Sequence, residues 1–175
     1  MKQAIVIGTN VGREKWVSSC LESLKVPALV VSTPGFESGQ IKWVYDNTSI
    51  DRFIYLQDSV VIRNNDLLMS LFDTEGSACL LHGNFHMNSY LGLYERETLS
   101  KMTIPNSNNK AEAMINEEAF PRPYVDLCEK FTCHTPDRED IWGLVRNGRE
   151  NLIHRNEIFE KWKGNWGQYG LGGPE

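Results

Sequence analysis

Apolar positions follow two rhythms along this chain: short unbroken runs, and longer stretches in which they recur every three or four residues. The run Gln3–Gly8 (QAIVIG) and the longer run Phe53–Ile62 (FIYLQDSVVI) read as buried strands, since a strand covered on both faces needs no polar alternation. Between them, Trp16, Val17, Cys20, Leu21 and Leu24 repeat at helical spacing. They predict a helix over Arg13–Lys25 that turns Glu14, Lys15, Ser18 and Glu22 to water. Pro27 ends it before a strand over Ala28–Ser32. Strand, helix and strand at this spacing form a βαβ unit, which the right-handed crossover rule makes parallel. The polar turn Thr9-Asn10-Val11-Gly12 and the acidic residue Asp58 then fall at the C-terminal edge of the sheet. Open α/β sheets bind their ligands at that edge.

Further along, Ile41–Tyr45 reads as a short strand whose Trp43 or Tyr45 either stacks on a base or joins the core. Leu67, Leu68, Leu71 and Phe72 predict a helix capped by Asn64 or Asn65, and Ala78–Gly83 a further strand. A short helix over Glu95–Met102 leads into the polar loop Thr103–Lys110, the best candidate for a mobile lid. The helix expected over Ala111–Phe120 places Met114 and Ile115 on its inner face and Glu117-Glu118 at its end, and Pro121 and Pro123 stop it. Asn147-Gly148 between strand-like flanks predicts a hairpin. The expected architecture is a single α/β domain over residues 1–175. It has a mostly parallel central sheet flanked by helices, with 155–175 a basic-aromatic, Gly-rich tail.

Composition narrows the function classes. The chain has 175 residues, 41% of them hydrophobic, enough for one core. Its formal net charge is −5 with both signs interspersed, so no basic stripe favours sequence-independent nucleic-acid binding. No run resembles a signal peptide or approaches membrane-spanning length, and a soluble, cytoplasmic protein is expected. Cys20, Cys79, Cys128 and Cys133 read mostly as core thiols, and Cys128-x4-Cys133-His134 lacks the paired close-spaced ligands of common zinc sites.

The turn after the first strand has two readings. Thr9, Asn10 and Arg13 suit a nucleotide or phosphate, because small polar groups and free backbone donors open a helix there; alternatively Thr9 or Asn10 caps the helix. No G-x-G-x-x-G fingerprint and no P-loop lysine is present, which disfavours a dinucleotide-binding domain.

Ile5-Val6-Ile7-Gly8-Thr9-Asn10, Arg13-Glu14 and Cys20-Leu21-Glu22-Ser23-Leu24 together resemble the opening of the family 2 glycosyltransferases. The Asp58 strand resembles their hydrophobic strand closing on D-x-D, and Tyr90–Leu99 their acceptor-side strand and R-x-x-L helix. The resemblance implies a GT-A fold binding a nucleotide-diphosphate sugar, with a divalent cation, manganese or magnesium, against the diphosphate. Thr9, Asn10 and Arg13 would border the nucleotide, Asp58 and the late His154 would hold the metal, and Glu117 or Glu118 would deprotonate the acceptor hydroxyl, with Asp126 next in line. Lys161 and Lys163 are candidates to neutralise the diphosphate, unless their segment is only a tail anchored by Trp162 and Trp166.

Two departures stand out. The acidic motif is reduced to Gln57-Asp58-Ser59, and Val31-Ser32-Thr33-Pro34-Gly35 stands where the family commonly has paired aspartates. The leading expectation is a small, pared-down glycosyltransferase, of a kind phages often carry, moving a sugar to a hydroxyl acceptor. A nucleic-acid acceptor gains no support from the charge. The other readings are a catalytically degenerate GT-A-like domain that binds a nucleotide, sugar or protein partner, and a metal-independent transferase of another activated group.

Overall fold

The computed structural model describes residues 1–79, 90–133 and 152–162. Its central sheet follows from the two apolar runs. Strand β1 (Gln3–Thr9) lies between β2 (Ala28–Ser32) and β3 (Arg52–Gln57), parallel to both. The sheet continues through β6 (Leu91–Glu95), β5 (Ser77–Cys79) and β7 (Phe131–Cys133) in the order β2-β1-β3-β6-β5-β7. Only β6 runs against the rest, pairing antiparallel with both of its neighbours. The sheet is thus mostly parallel, as expected.

Both faces of the sheet are covered, which explains the unbroken hydrophobic runs. Ile5, Ile7, Ile54 and Leu56 point to a core shared with Cys20 of α1 (Glu14–Ser23) and Leu68 of α3 (Asn65–Ser70). Val6, Phe53 and Tyr55 point the other way. There they meet Ile41 and Val44 of α2 (Phe36–Asn47), Leu99 of α4 (Arg96–Leu99) and Tyr124 of α6 (Pro121–Leu127). Helix α5 (Lys110–Ala119) packs on this second side through Ala113.

Several local expectations are corrected. Ile41–Tyr45 is part of helix α2, because Ile41 and Val44, three apart, supply the one buried stripe a helix needs. The run Phe53–Ile62 is two strands: β3 ends at Gln57, Asp58 and Ser59 turn, and β4 (Val60–Ile62) starts a second sheet, β4-β9-β8, with β8 (Leu152–Arg155) and β9 (Phe159–Trp162). Residues 155–162, grouped at first with the tail, therefore include β9 and its turn. The helix expected over Glu95–Met102 is present but shorter, as α4 (Arg96–Leu99), with Glu95 both closing β6 and standing at the cap of α4. Met114 and Ile115 are 59% and 66% exposed, so the inner face of α5 is a different one. Pro121 does end α5, but it also opens α6 from the first helical position, where its missing N–H costs nothing. Asn64 caps α3 as expected, accepting from the backbone of Asp66 and Leu67. The hairpin expected at Asn147-Gly148, the end of the Ala78–Gly83 strand and Lys163 lie outside the described residues. No described helix is long and apolar enough to cross a membrane.

Candidate functional site

The register between β1 and β3 builds the site. Gly8 pairs with Gln57, and the Asp58 backbone N–H donates to the Gly8 carbonyl at 3.1 Å, so Thr9 and Asp58 leave their strands side by side. The Thr9 hydroxyl donates to Asp58 Oδ2 at 2.6 Å. Arg13, at the N-terminal cap of α1, grips the same carboxylate with both prongs, Nε to Oδ2 and Nη2 to Oδ1, each at 2.5 Å. Asp58 is only 4% exposed, and its charge is matched by a bidentate guanidinium, the geometry that best compensates a buried carboxylate. Neither Thr9 nor Asn10 caps α1, and α1 has no side-chain cap.

Glycine is required at position 8. A Cβ there would overlap Gln40 Oε1 and the Tyr55 hydroxyl, which hydrogen-bond to each other at 2.5 Å. Gln40 in turn donates from Nε2 to the Thr9 carbonyl at 2.7 Å and so fixes the turn that carries Thr9 and Asn10.

The second sheet delivers a lysine to the same place. Lys161 in β9 pairs with Val60 in β4, and the Trp162 N–H donates to the Ser59 carbonyl at 2.9 Å. This pairing directs the Lys161 ammonium onto Gln57 Oε1 and Ser59 Oγ, with its Nζ 5.4 Å from the centre of the Tyr90 ring. Burial pushes the Lys161 ammonium down to about 8, against the pull of Asp58 and Glu37. All three side chains of Gln57-Asp58-Ser59 are thus engaged by cationic side chains of the chain itself.

Glu37 was not anticipated. It opens α2, accepts from Gln57 Nε2 at 2.5 Å, and burial raises its carboxyl above the ordinary value. With Glu117 it lines a cavity of about 10 Å³, roughly the space one water-sized group occupies. Glu117 also faces Lys110 at 3.5 Å. The placement of α2 as a strand hid this residue, because only a helix start beside β3 brings Glu37 to Gln57.

Thr9, Arg13, Asp58, Lys161 and Glu117 therefore gather at the C-terminal edge of the sheet, with Asn10 next in the turn. The backbone of His154 in β8 lies opposite Lys161, one strand further from β4. The side chains of His154 and Glu118 lie outside what is described, as does Lys163. Among the described residues, no three His, Cys, Asp or Glu groups converge to hold a metal ion. The donor set around Asp58 does not fit one either: both of its oxygens accept from Arg13, and its two neighbours hold Lys161.

No protein-family model matches the chain, and neither does any curated protein sequence. Solved structures do match its fold. The catalytic domain of Drosophila β1,4-galactosyltransferase 7, in complex with xylobiose, superposes with a TM-score of 0.61 at 11% identity, over 98% of this chain and 74% of that one. A mutant of the same enzyme with manganese, UDP-Gal and xylobiose gives 0.53 at 11% identity, over 100% and 76%. TarS of S. aureus gives 0.55 at 11% identity over 78% of this chain, which spans only 36% of the TarS chain. The fold is that of the GT-A glycosyltransferases.

Proposed function

We propose that the protein is a glycosyltransferase that moves a sugar from a nucleotide-diphosphate donor to a hydroxyl acceptor. One observation carries the reading: a charged cluster of Arg13, Asp58, Lys161, Glu37 and Glu117 lies at the sheet edge of a fold whose neighbours include a galactosyltransferase solved with UDP-Gal. Thr9, Asn10 and Arg13 border the nucleotide, and Lys161, with Lys163, faces the diphosphate. In the transfer, the bond from the anomeric carbon to the diphosphate oxygen breaks with its electron pair leaving on the diphosphate. The acceptor oxygen bonds to that carbon, and its proton passes to Glu117, or to Glu118 as the alternative base.

A divalent cation, which the fold's manganese-bound neighbour brings into question here, would add Lewis-acid stabilisation of the leaving diphosphate. Asp58 and His154 are the expected ligands, but the engagement of Asp58 by Arg13 argues against that role for it, and no step is assigned to a metal. The expected location is cytoplasmic.

Thermal unfolding against UDP-, GDP-, dTDP- and CMP-linked sugars, with and without manganese, tests the reading, since a ligand of the native state raises the midpoint. A rise with one nucleotide-diphosphate sugar, lost in Asp58→Ala, is expected. No rise with any donor would shift the reading to a GT-A-like domain that has lost transfer chemistry.

A further inference from the structure

The reduced motif has an arrangement that its sequence does not reveal. A D-x-D motif gathers oxygens around a cation, and Gln57-Asp58-Ser59 also gathers oxygens around cations, here the ammonium of Lys161 and the guanidinium of Arg13. The two cations differ in what they can still do. Arg13 is neutralised by Asp58, with both carboxylate oxygens in its fork. Lys161 is held instead by two neutral acceptors, an amide oxygen and a hydroxyl, so its charge is not cancelled by the groups that orient it.

Holding the ammonium of a lysine that is only 6% exposed with two neutral ligands is costly, and the desolvation lowers its proton affinity. A salt-bridge partner would relieve that cost, yet the nearest motif carboxylate is given to Arg13. An incoming dianion supplies what is missing. A diphosphate offers hard oxygens that accept strong, charge-assisted hydrogen bonds, and an ammonium has three N–H donors. Among the described residues, two hydrogen bonds from the Lys161 ammonium are made, to Gln57 and Ser59, which leaves a third donor for a ligand oxygen.

We infer that Lys161 takes the place of a divalent cation: its ammonium, oriented by Gln57 and Ser59, binds the donor diphosphate and stabilises it as it leaves, so that donor binding needs no metal. This rests on the donor proposed above and deepens it. Arg13 acts through Asp58 as a positioning residue, fixing the turn between β3 and β4 from which Ser59 reaches the lysine.

Isothermal titration of the full chain with UDP, GDP and dTDP, in excess EDTA and then in manganese, separates the possibilities. The expected result is a dissociation constant that agrees within twofold between the two buffers for the diphosphate that binds. Lys161→Met should weaken that diphosphate at least tenfold while leaving the matching nucleoside, uridine, guanosine or thymidine, unchanged, and Lys161→Arg should restore most of the loss. Binding that appears only with manganese overturns the inference and leaves the transferase reading standing. Equal binding by Lys161→Met, or an equal loss for nucleoside and diphosphate, also overturns it, because the lysine would then be inert or merely structural. If none of the three diphosphates binds in either buffer, the donor reading fails and the inference with it. The comparison of EDTA with manganese uses the unmodified protein, so it can overturn the inference even if the methionine variant does not fold, and Lys161→Arg then carries the test of the lysine itself.

Discussion

The two ends of the central sheet each bury an arginine, and they use it in different ways. At the N-terminal end of β3, Arg52 is 7% exposed and donates to the main-chain carbonyls of Phe72 at 2.9 Å, Thr74 at 2.6 Å and Gly76 at 2.7 Å, with Glu95 as its ion-pair partner at 3.4 Å. It ties down the segment between α3 and β5. At the C-terminal end, Arg13 grips the carboxylate of Asp58, which sits in a turn beside a buried lysine. An arginine on carbonyls satisfies groups that folding itself leaves unpaired. An arginine matched to a buried carboxylate satisfies a charge that folding had no need to bury. Size misleads here: the cleft beside Arg52, lined also by Glu97, Lys101, Glu129 and Lys130, measures about 430 Å³ against about 10 Å³ beside Glu117. Its charges are largely paired off, Lys101 with Glu97 and Glu129 and Lys130 with Glu75, and it opens at the wrong edge for an open α/β sheet.

The same substitution at both arginines tests this contrast. Arg13→Met leaves the Asp58 carboxylate buried with the Thr9 hydroxyl as its one remaining side-chain hydrogen bond among the described residues, and should cost about 3 kcal/mol in urea unfolding, near the lower limit for a broken buried pair. Removing both charges in Arg13→Met with Asp58→Leu should recover at least half of that loss, because neither member of the pair is left buried without the other. Donor-induced stabilisation should be absent from both variants. Recovery of stability together with donor response would show that the pair is only a structural strut.

Arg52→Met should cost slightly less, about 2 kcal/mol, as the freed carbonyls of Phe72, Thr74 and Gly76 regain water at the open cleft. Its thermal shift with a donor should equal that of the unaltered protein. A lost donor response in Arg52→Met would erase the distinction between the two ends.

How far the sequence could be read follows the same division. Strands β1 and β3 were legible because Ile5, Val6 and Ile7, and then Phe53 to Leu56, are apolar on both faces, and Asp58 was legible as the charge that ends such a run. Helix α2 was not. Its Trp43 is 37% exposed and Tyr45 is only partly buried, so the two aromatics that suggested a strand lie outside the buried stripe of Ser38, Ile41 and Val44. The facing of α5 was missed for a related reason. Ala113 is its buried contact, and Phe120, stacked 6.2 Å from Tyr94, sets the approach of the helix from its end, which turns Met114 and Ile115 outward. The lysine at the site was legible only as a basic residue near the end of the chain. Lys161 and Gln57 are 104 residues apart, and only the pairing of β4 with β9 brings them together.

The smallest effect separates the two ends by pH. Lys161 titrates near 8 in the folded protein and, by the ordinary value for lysine, near 10.4 when unfolded. Between those values the unfolded chain holds a proton that the folded chain has released. Stability therefore rises with pH through that window, by at most about 1.4 kcal/mol per unit, and is insensitive to this group below it. Other groups oppose the rise. Burial pushes the Cys20 thiol up to about 12 and raises the Cys128 thiol and the Tyr55, Tyr94 and Tyr124 hydroxyls, so their unfolded counterparts ionise first and lower stability, the thiols from about pH 8 and the tyrosines from about pH 9 onward. Between pH 8 and 9 the thiols offset part of the Lys161 rise, so the lysine is read from the difference between profiles with and without it. From pH 8 to 9 the unaltered protein and Arg52→Met should gain urea stability relative to Lys161→Met. Parallel profiles in all three would mean that the ammonium at the sheet edge is solvated, and the two ends of the sheet would then differ in geometry but not in stored charge.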